Sequence, residues 1–170
     1  GVVHRLDKDT SGLMIIARTL ESHTNLTDLI QTRKIKRNYY ALVHGQPIAG
    51  NTIDKPIGRH PKNRLLFCVK EGGREAITHF KVHKKFKNFS LLDISLETGR
   101  THQIRVHLSA IGHPLVGDEL YGGKRSVIDL ERPFLHASFL EFEHPTRNER
   151  VSFESKIPSD LKEVLKDLSD

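Results

Sequence analysis

Apolar positions recur along this chain at two spacings, which divide it into helical stretches and stretches of strand character. Residues 13–17, Leu13-Met14-Ile15-Ile16-Ala17, form a continuous apolar run that predicts a first strand. Leu26, Leu29 and Ile30 then fall at helical spacing, behind Thr19, which can accept a bond from a free N–H of the first turn, and Glu21, which suits that turn's positive end. A helix over residues 20–32 follows. Residues 38–44 predict a strand stopped by Gly45-Gln46-Pro47, since proline cannot continue a ladder. After a basic, irregular stretch at residues 56–64, residues 65–70 and 76–86 read as a hairpin turning at Glu71-Gly72-Gly73. Residues 89–96 alternate as a strand, and Thr98-Gly99-Arg100 turns the chain into a short helix over residues 102–111, ended by Gly112 with Pro114 close behind. Two closing strands, residues 134–142 and 150–153, flank a His144-Pro145 turn. Ser159 then caps a last helix with Leu161, Val164, Leu165 and Leu168 on one face.

Strands outnumber helices, strands follow one another through short turns, and helices come singly. The fold class is therefore α+β, a mixed and largely antiparallel sheet with helices packed on it. A length of 170 residues suits one domain with a real core. The net charge of +6 favours a polyanionic partner, because basic surfaces release counterions from phosphates. The single cysteine, Cys68, has no partner within the chain for a disulfide; it reads as a buried strand position and suits a reducing, cytoplasmic setting. No apolar run approaches the ~20 residues of a membrane helix.

Chemistry concentrates at His4-Arg5-Leu6-Asp7-Lys8-Asp9-Thr10-Ser11-Gly12. The last four residues are turn formers, so Asp7 sits on a tight loop that holds its carboxylate ahead of the apolar run. By itself, an aspartate among Arg5 and Lys8 is an ion-paired surface turn. Equally, Arg105 alone reads as a helix-surface ion pair and Tyr39 as a core aromatic. Eleven histidines invite a metal, but His102, His107 and His113 lack cysteines or carboxylates at ligand spacing, so no metal is expected. No glycine-rich phosphate loop is present, so no nucleotide cofactor is expected.

Four strings change these odds when taken in order. They are His4-Arg5-Leu6-Asp7; Lys36-Arg37-Asn38-Tyr39-Tyr40-Ala41-Leu42-Val43-His44-Gly45; Leu96-Glu97-Thr98-Gly99-Arg100-Thr101-His102-Gln103-Ile104-Arg105-Val106-His107, running on through His113-Pro114-Leu115-Val116-Gly117-Asp118 to Tyr121-Gly122-Gly123; and Phe134-Leu135-His136-Ala137. Together they span nearly the whole chain and resemble the RluA family of RNA pseudouridine synthases. The resemblance implies a long bent sheet with the active cleft across its middle. It also implies an isomerase that turns uridine into pseudouridine in RNA, without cofactor or metal. Asp7 matches the family's nucleophilic aspartate, which attacks C1′, adds to the uracil ring or takes a sugar proton; each route needs it ionised.

Arg105 matches the arginine that pairs with the aspartate, through an expected bidentate contact. Tyr39 matches the tyrosine that stacks on the target base and is the candidate for removing the C5 proton. Strand alternation sends Tyr40 to the opposite face. Arg5 is expected to insert into or steady the RNA as the base flips out, with a phosphate contact or a structural ion pair as the alternative. Arg100, His102 and Gln103 are expected to contact RNA or to brace their loop, and Leu135 and His136 to pack near the cleft. Agreement at His60-Pro61, at residues 98–107 and at residues 113–123 is most similar to the bacterial enzymes of the D type. That likeness implies 23S ribosomal RNA or the large ribosomal subunit as partner, with another ribosomal site or transfer RNA, the substrates of other subtypes of the family, as the alternative. Family members carry further strands before the aspartate, and often an RNA-binding domain of the S4 type, so the chain reads as a catalytic-domain fragment.

Two other classes compete. A non-catalytic RNA-binding or ribosome-assembly module would have no use for Asp7, Tyr39 and Arg105 together. A metal-dependent phosphodiester hydrolase would need carboxylates clustered around Asp7 and Asp9.

Overall fold

The structure is a computed structural model that describes residues 1–122 and 127–170. In chain order its elements are β1 (Ser11–Gly12), α1 (Leu20–Gln31), β2 (Lys36–His44), β3 (Asn51–Asp54), β4 (Ile57–Arg59), β5 (Phe67–Val69), β6 (Ile77–Lys85), β7 (Phe89–Leu96), α2 (Gln103–Ala110), β8 (Leu135–Glu143), β9 (Arg150–Glu154) and α3 (Ser159–Ser169). The main sheet runs β1-β8-β2-β7-β6-β3, with β9 also on β8; β4 and β5 pair separately. Among the described residues only β1 pairs in parallel within it, with β8. The expected α+β class with a largely antiparallel sheet is what the chain adopts.

Strand β2 lies inside the sheet, between β7 and β8, and organises the rest. Its odd positions Arg37, Tyr39, Ala41 and Val43 are buried on one face. There Tyr39, Ala41 and Val43 pack with Leu92 and Ile94 of β7 and with Ile104 and Leu108 of α2. The even positions Tyr40 and Leu42 face a second cluster built on Phe89, Phe134, and Leu161 and Val164 of α3. Tyr40 also meets the His83 ring edge-on at 5.3 Å. Period-two alternation thus separates Tyr39 from Tyr40 as expected. Helix α1 covers a third cluster with Leu26, beside Ile35, Leu140 and Phe142. Thr19 caps it, its Oγ1 accepting from the Ser22 N–H at 3.1 Å.

Five local expectations are corrected. The run at residues 13–17 forms no ladder of its own: β1 stops at Gly12, whose φ of +111° bends the chain where a Cβ would collide with the Ala137 carbonyl. Leu13 and Ile15 still pack inward, which is what their alternation encodes. The predicted hairpin does not form, because β5 pairs back onto β4, within the stretch expected to be irregular, and β6 pairs with β7 and β3. The turn at residues 71–73 instead lays the chain on Ile57, which exchanges two backbone bonds with Arg74 at 2.9 Å. Gly73 permits this approach, since a Cβ there would lie 2.7 Å from the Ile57 carbonyl. Strand β3 was not visible because only Ile53 of its four residues is buried. Pro158, not Ser159, is the cap residue of α3, and Ser159 opens the helix. Cys68 lies on β5 as expected but is half-buried rather than buried.

Candidate active site

Asp7 stands on a turn closed by the Thr10 N–H donating to the Asp7 carbonyl at 2.9 Å. Two distant side chains anchor that turn. Arg132 donates to the Asp9 carbonyl at 3.0 Å and to Ser11 Oγ at 3.3 Å, while Asp160 holds its guanidinium through bonds of 2.9 and 3.1 Å. His136 bonds Ser155 and Ser11: the Ser155 carbonyl can only accept, so Nε2 carries the proton and Nδ1 accepts from the Ser11 hydroxyl at 2.8 Å. His136 is buried as a brace, and Leu135 lines the cleft, as expected of them.

His4, three residues before Asp7, takes the Ile15 N–H on Nε2 at 2.8 Å. Its other nitrogen, Nδ1, is buried with no hydrogen-bond partner. Burial, and next the charge of Arg37, push the His4 pKa down to about 4. His4 is therefore neutral in the fold near neutrality and protonates at about 6.5 when unfolded. Because its folded pKa is the lower one, this contribution is complete above pH 6.5 and is lost as pH falls towards 4. Allowing for partial solvent screening, the loss is about 2 kcal/mol. In urea titrations at pH 7 and pH 4.5, the His4→Gln variant should show a smaller acid loss than the wild type; equal losses would assign the acid sensitivity to other groups.

The carboxylate of Asp7, 25% exposed, lies 3.7 Å from Arg105 Nη1. The bidentate contact expected between these two is corrected: Arg105 gives its fork to Asp118, with Nε to Oδ2 at 2.9 Å and Nη2 to Oδ1 at 3.0 Å. Asp118 is 1% exposed, and a buried carboxylate takes the better-formed pair because it has no water to replace it. Burial works against the Arg105 charge, but the bonds and charge of Asp118, with the charge of Asp7, outweigh it and raise the Arg105 pKa. The Tyr121 ring lies under the guanidinium, 5.1 Å from centroid to Cζ. Asp118 also accepts the Tyr121 N–H at 3.3 Å. Thus Arg105 is locked first and then presents one N–H edge to Asp7.

The loop before α2 is braced from within. Gln103 is 3% exposed; its carbonyl accepts from Thr98 Oγ1 and the Arg100 N–H, and its amide donates to the Ile77 carbonyl and Thr78 Oγ1. Its carbonyl and amide are both engaged within the protein, so Gln103 braces the loop. His102 heads α2 in the left-handed region, φ 57°. Its Nδ1 meets the Tyr121 hydroxyl at 2.7 Å, and that hydroxyl accepts from the Phe67 N–H at 2.9 Å. Burial lowers the His102 pKa, with Asp7 opposing and Arg105 adding to the fall.

An open cleft of about 770 Å³ holds Asp7, Tyr39, Arg5, Arg100, His102 and Gln103 together, whereas Arg105 is not among the lining residues and stands behind Asp7. Tyr39 is buried beneath it; burial raises its pKa, Arg37 opposes and Asp7 adds to the rise. Arg5 is exposed at the cleft, and Arg33, Arg74 and Lys8 line it too. Arg100 donates to the Glu75 carbonyl at 2.7 Å, and burial together with Arg74 and Arg33 lowers its pKa, the mark of crowded cations. Sequence reasoning did not single out Asp118, Tyr121, Arg132 or Arg37 as site residues. Asp118 and Tyr121 stood inside a quoted string, whereas Arg132 acts on Asp9 across more than a hundred residues with no local signal. Gly123, the end of that string, lies outside the described residues. Among the described residues no three His, Cys, Asp or Glu side chains gather as a metal site, and no helix is long and apolar enough to cross a membrane.

Residues 1–110 match the sequence pattern of the RNA pseudouridylate synthase family. The chain is 49% identical over its whole length to an uncharacterized RNA pseudouridine synthase of Chloroflexus aurantiacus, covering 54% of that protein. It is 46% identical to ribosomal large subunit pseudouridine synthase D of Pseudomonas aeruginosa, over 95% of this chain and 54% of that one. The chain therefore spans about half the length of the curated relatives it matches. Among solved structures, human RNA pseudouridylate synthase domain containing 1 superposes over 99% of this chain and 79% of its own, with a TM-score of 0.78 and 27% identity.

Proposed function

The chain belongs to the RNA pseudouridylate synthase family, and from that premise we propose that it isomerises uridine to pseudouridine in RNA, with 23S ribosomal RNA of the large subunit as substrate. The observation that carries this reading is the Asp7 carboxylate at the cleft, 3.7 Å from an arginine that Asp118 holds in place. A binding module needs no carboxylate positioned in this way. The substrate assignment draws on relatives named for the large ribosomal subunit.

The reaction breaks the C1′–N1 bond, turns the freed uracil and joins its C5 to the same C1′, with one proton lost from C5 and one gained at N1. A stacked uridine hides both C1′ and C5, so the nucleotide must leave its helix. A cleft of about 770 Å³ is of the size that takes in one nucleotide. Arg5, Arg74, Arg100 and Lys8, which line it, supply charge for the flanking phosphates, whereas Arg33 is paired with Glu75 and Glu97. Asp7 opens the reaction as nucleophile or base, and Arg105 lends positive charge beside it without competing for it, being satisfied by Asp118.

Tyr39 takes the face of the extruded uracil, a contact that typically contributes ~1–3 kcal/mol. Its hydroxyl serves the C5 proton. Because burial raises this phenol above the ordinary value of about 10, the phenolate is scarce at neutral pH and its fraction grows about tenfold per pH unit up to that value. Loss of the C5 proton should accordingly speed up with pH through the alkaline range in the wild type. The Tyr39→Phe variant should keep RNA affinity, slow C5 proton loss on the order of 10²-fold and flatten that rise. An unchanged pH profile in Tyr39→Phe would remove the hydroxyl from the proton transfer.

The reading is tested by incubating the protein with 23S transcript and with transfer RNA, digesting each and separating the nucleosides. Pseudouridine in the 23S transcript alone is expected. Its appearance only in transfer RNA would move the substrate, and its absence from both would overturn the activity.

A further inference from the structure

Arg37 is a buried cation with no counter-ion among the described residues. Only 5% of it is exposed, and none of the ion pairs among the described residues involves it. Its Nε is buried without a hydrogen-bond partner. Arginine is almost never buried unpaired, because removing its charge from water costs several kcal/mol that only an anion or a set of acceptors offsets. The side chain is nevertheless given room: Gly99 approaches its Nη1 so closely that a Cβ at residue 99 would stand 2.8 Å away. Arg37 lies on the same face of β2 as Tyr39, two residues on, and both line the cleft with Asp7. Beside it, His4 presents a second buried nitrogen, Nδ1, with no partner. The protein therefore holds an uncompensated positive charge next to the place where the target base stacks.

We propose that Arg37 is a catalytic residue whose guanidinium stabilises the negative charge that the uracil ring takes on during the isomerisation. This rests on the reading of the cleft as a pseudouridine synthase site. When the C1′–N1 bond breaks, its electron pair goes to N1 and spreads over O2 and O4. If Asp7 instead adds to the ring, the charge falls on C5 and O4. Either way the charge arises on an oxygen-bearing ring lying on Tyr39, and a fixed cation that is itself buried favours it over the neutral starting ring. No proton moves and no co-reactant is needed: the guanidinium donates hydrogen bonds and keeps its protons. Arg132, which braces the Asp7 turn, has a carboxylate partner in Asp160, and Arg37 has none among the described residues.

The test compares Arg37→Met, which keeps the length of the stem, with Arg37→Lys, on one RNA carrying uridine or 5-fluorouridine at the target. Fluorine stabilises the ring anion by induction, so the fluorinated base draws less on the cation. Consumption of the target nucleoside is followed in single turnovers by digestion and chromatography. On uridine the methionine variant should be slower on the order of 10²-fold with RNA affinity kept, and on 5-fluorouridine slower by only about tenfold. Its melting temperature should rise, since an unpaired buried charge has been removed. The lysine variant should fall between wild type and Arg37→Met on uridine, and it carries the same comparison should the methionine variant not fold. Equal losses on the two bases, or weakened RNA binding at an unchanged rate, would overturn the inference, the second assigning Arg37 to a backbone phosphate. A wild type inactive on uridine would overturn the pseudouridine synthase reading and this inference with it, whereas an active wild type with equal losses overturns this inference alone.

Discussion

Asp7→Asn is expected to end turnover, by on the order of 10⁴-fold or more, while RNA affinity stays within about twofold and the fold is kept. Asparagine has nearly the shape of aspartate but is neither a nucleophile nor a base, so the loss falls on the chemical step. Stability should hardly change. Asp7 is partly exposed, its contact with Arg105 is 3.7 Å long, and Arg105 keeps its two bonds to Asp118 when Asp7 is neutral. The turn itself is closed by backbone and by Arg132, neither of which needs the Asp7 side chain. Single-turnover rates, RNA binding and thermal unfolding measured on the same variant separate these claims. A variant that binds RNA and turns over at more than a hundredth of the wild-type rate would remove Asp7 from the chemistry.

The second large effect belongs to a residue that never touches the substrate. Asp118→Ala strips the 11%-exposed Arg105 of both short bonds, and breaking a buried pair from one side destabilises by about 3–5 kcal/mol. Arg105→Ala leaves the buried Asp118 carboxylate without a counter-ion, with only the Tyr121 N–H still donating to it, and should lose a similar amount. Asp118 is a positioning residue, so its conservative variant is the sharper test. Asp118→Asn preserves shape and one acceptor, and should fold while slowing turnover about 10²-fold, the usual effect of a reacting group set off by an ångström. The double variant Arg105→Met/Asp118→Leu removes both charges at once and should recover most of the stability lost by either alanine variant while remaining inactive. Additive stability losses in the double variant would mean that the two residues act independently.

Local chemistry made much of this legible. Thr19 caps its helix because a hydroxyl accepts from the first turn, and Gly112 follows α2 at φ +85°, a conformation that suits glycine. Tyr39 and Tyr40 part to opposite faces because side chains alternate along any strand. The same alternation puts Arg37 on the face of Tyr39, a signal present within the second motif string, where only Tyr39 was singled out. What was not legible depends on partners chosen at long range. The glycine pair at residues 72–73 correctly marked a turn, yet which strand β5 would meet was settled by the approach of Gly73 to Ile57. In the same way, Arg105 and Asp7 were both visible as an ion pair, but the prior claim of Asp118 on Arg105 follows from the depth at which the loop after α2 is buried.

The most direct measurement is release of tritium from RNA labelled at uridine C5, with Asp7→Asn run in parallel. C5 must give up its proton when the freed ring rejoins the ribose through that carbon, so release is expected of the isomerisation and not of binding alone. The account predicts release by the wild type, stoichiometric with the target uridine and absent in Asp7→Asn. Bound RNA with no tritium released by the wild type, or release that persists in Asp7→Asn, would contradict it.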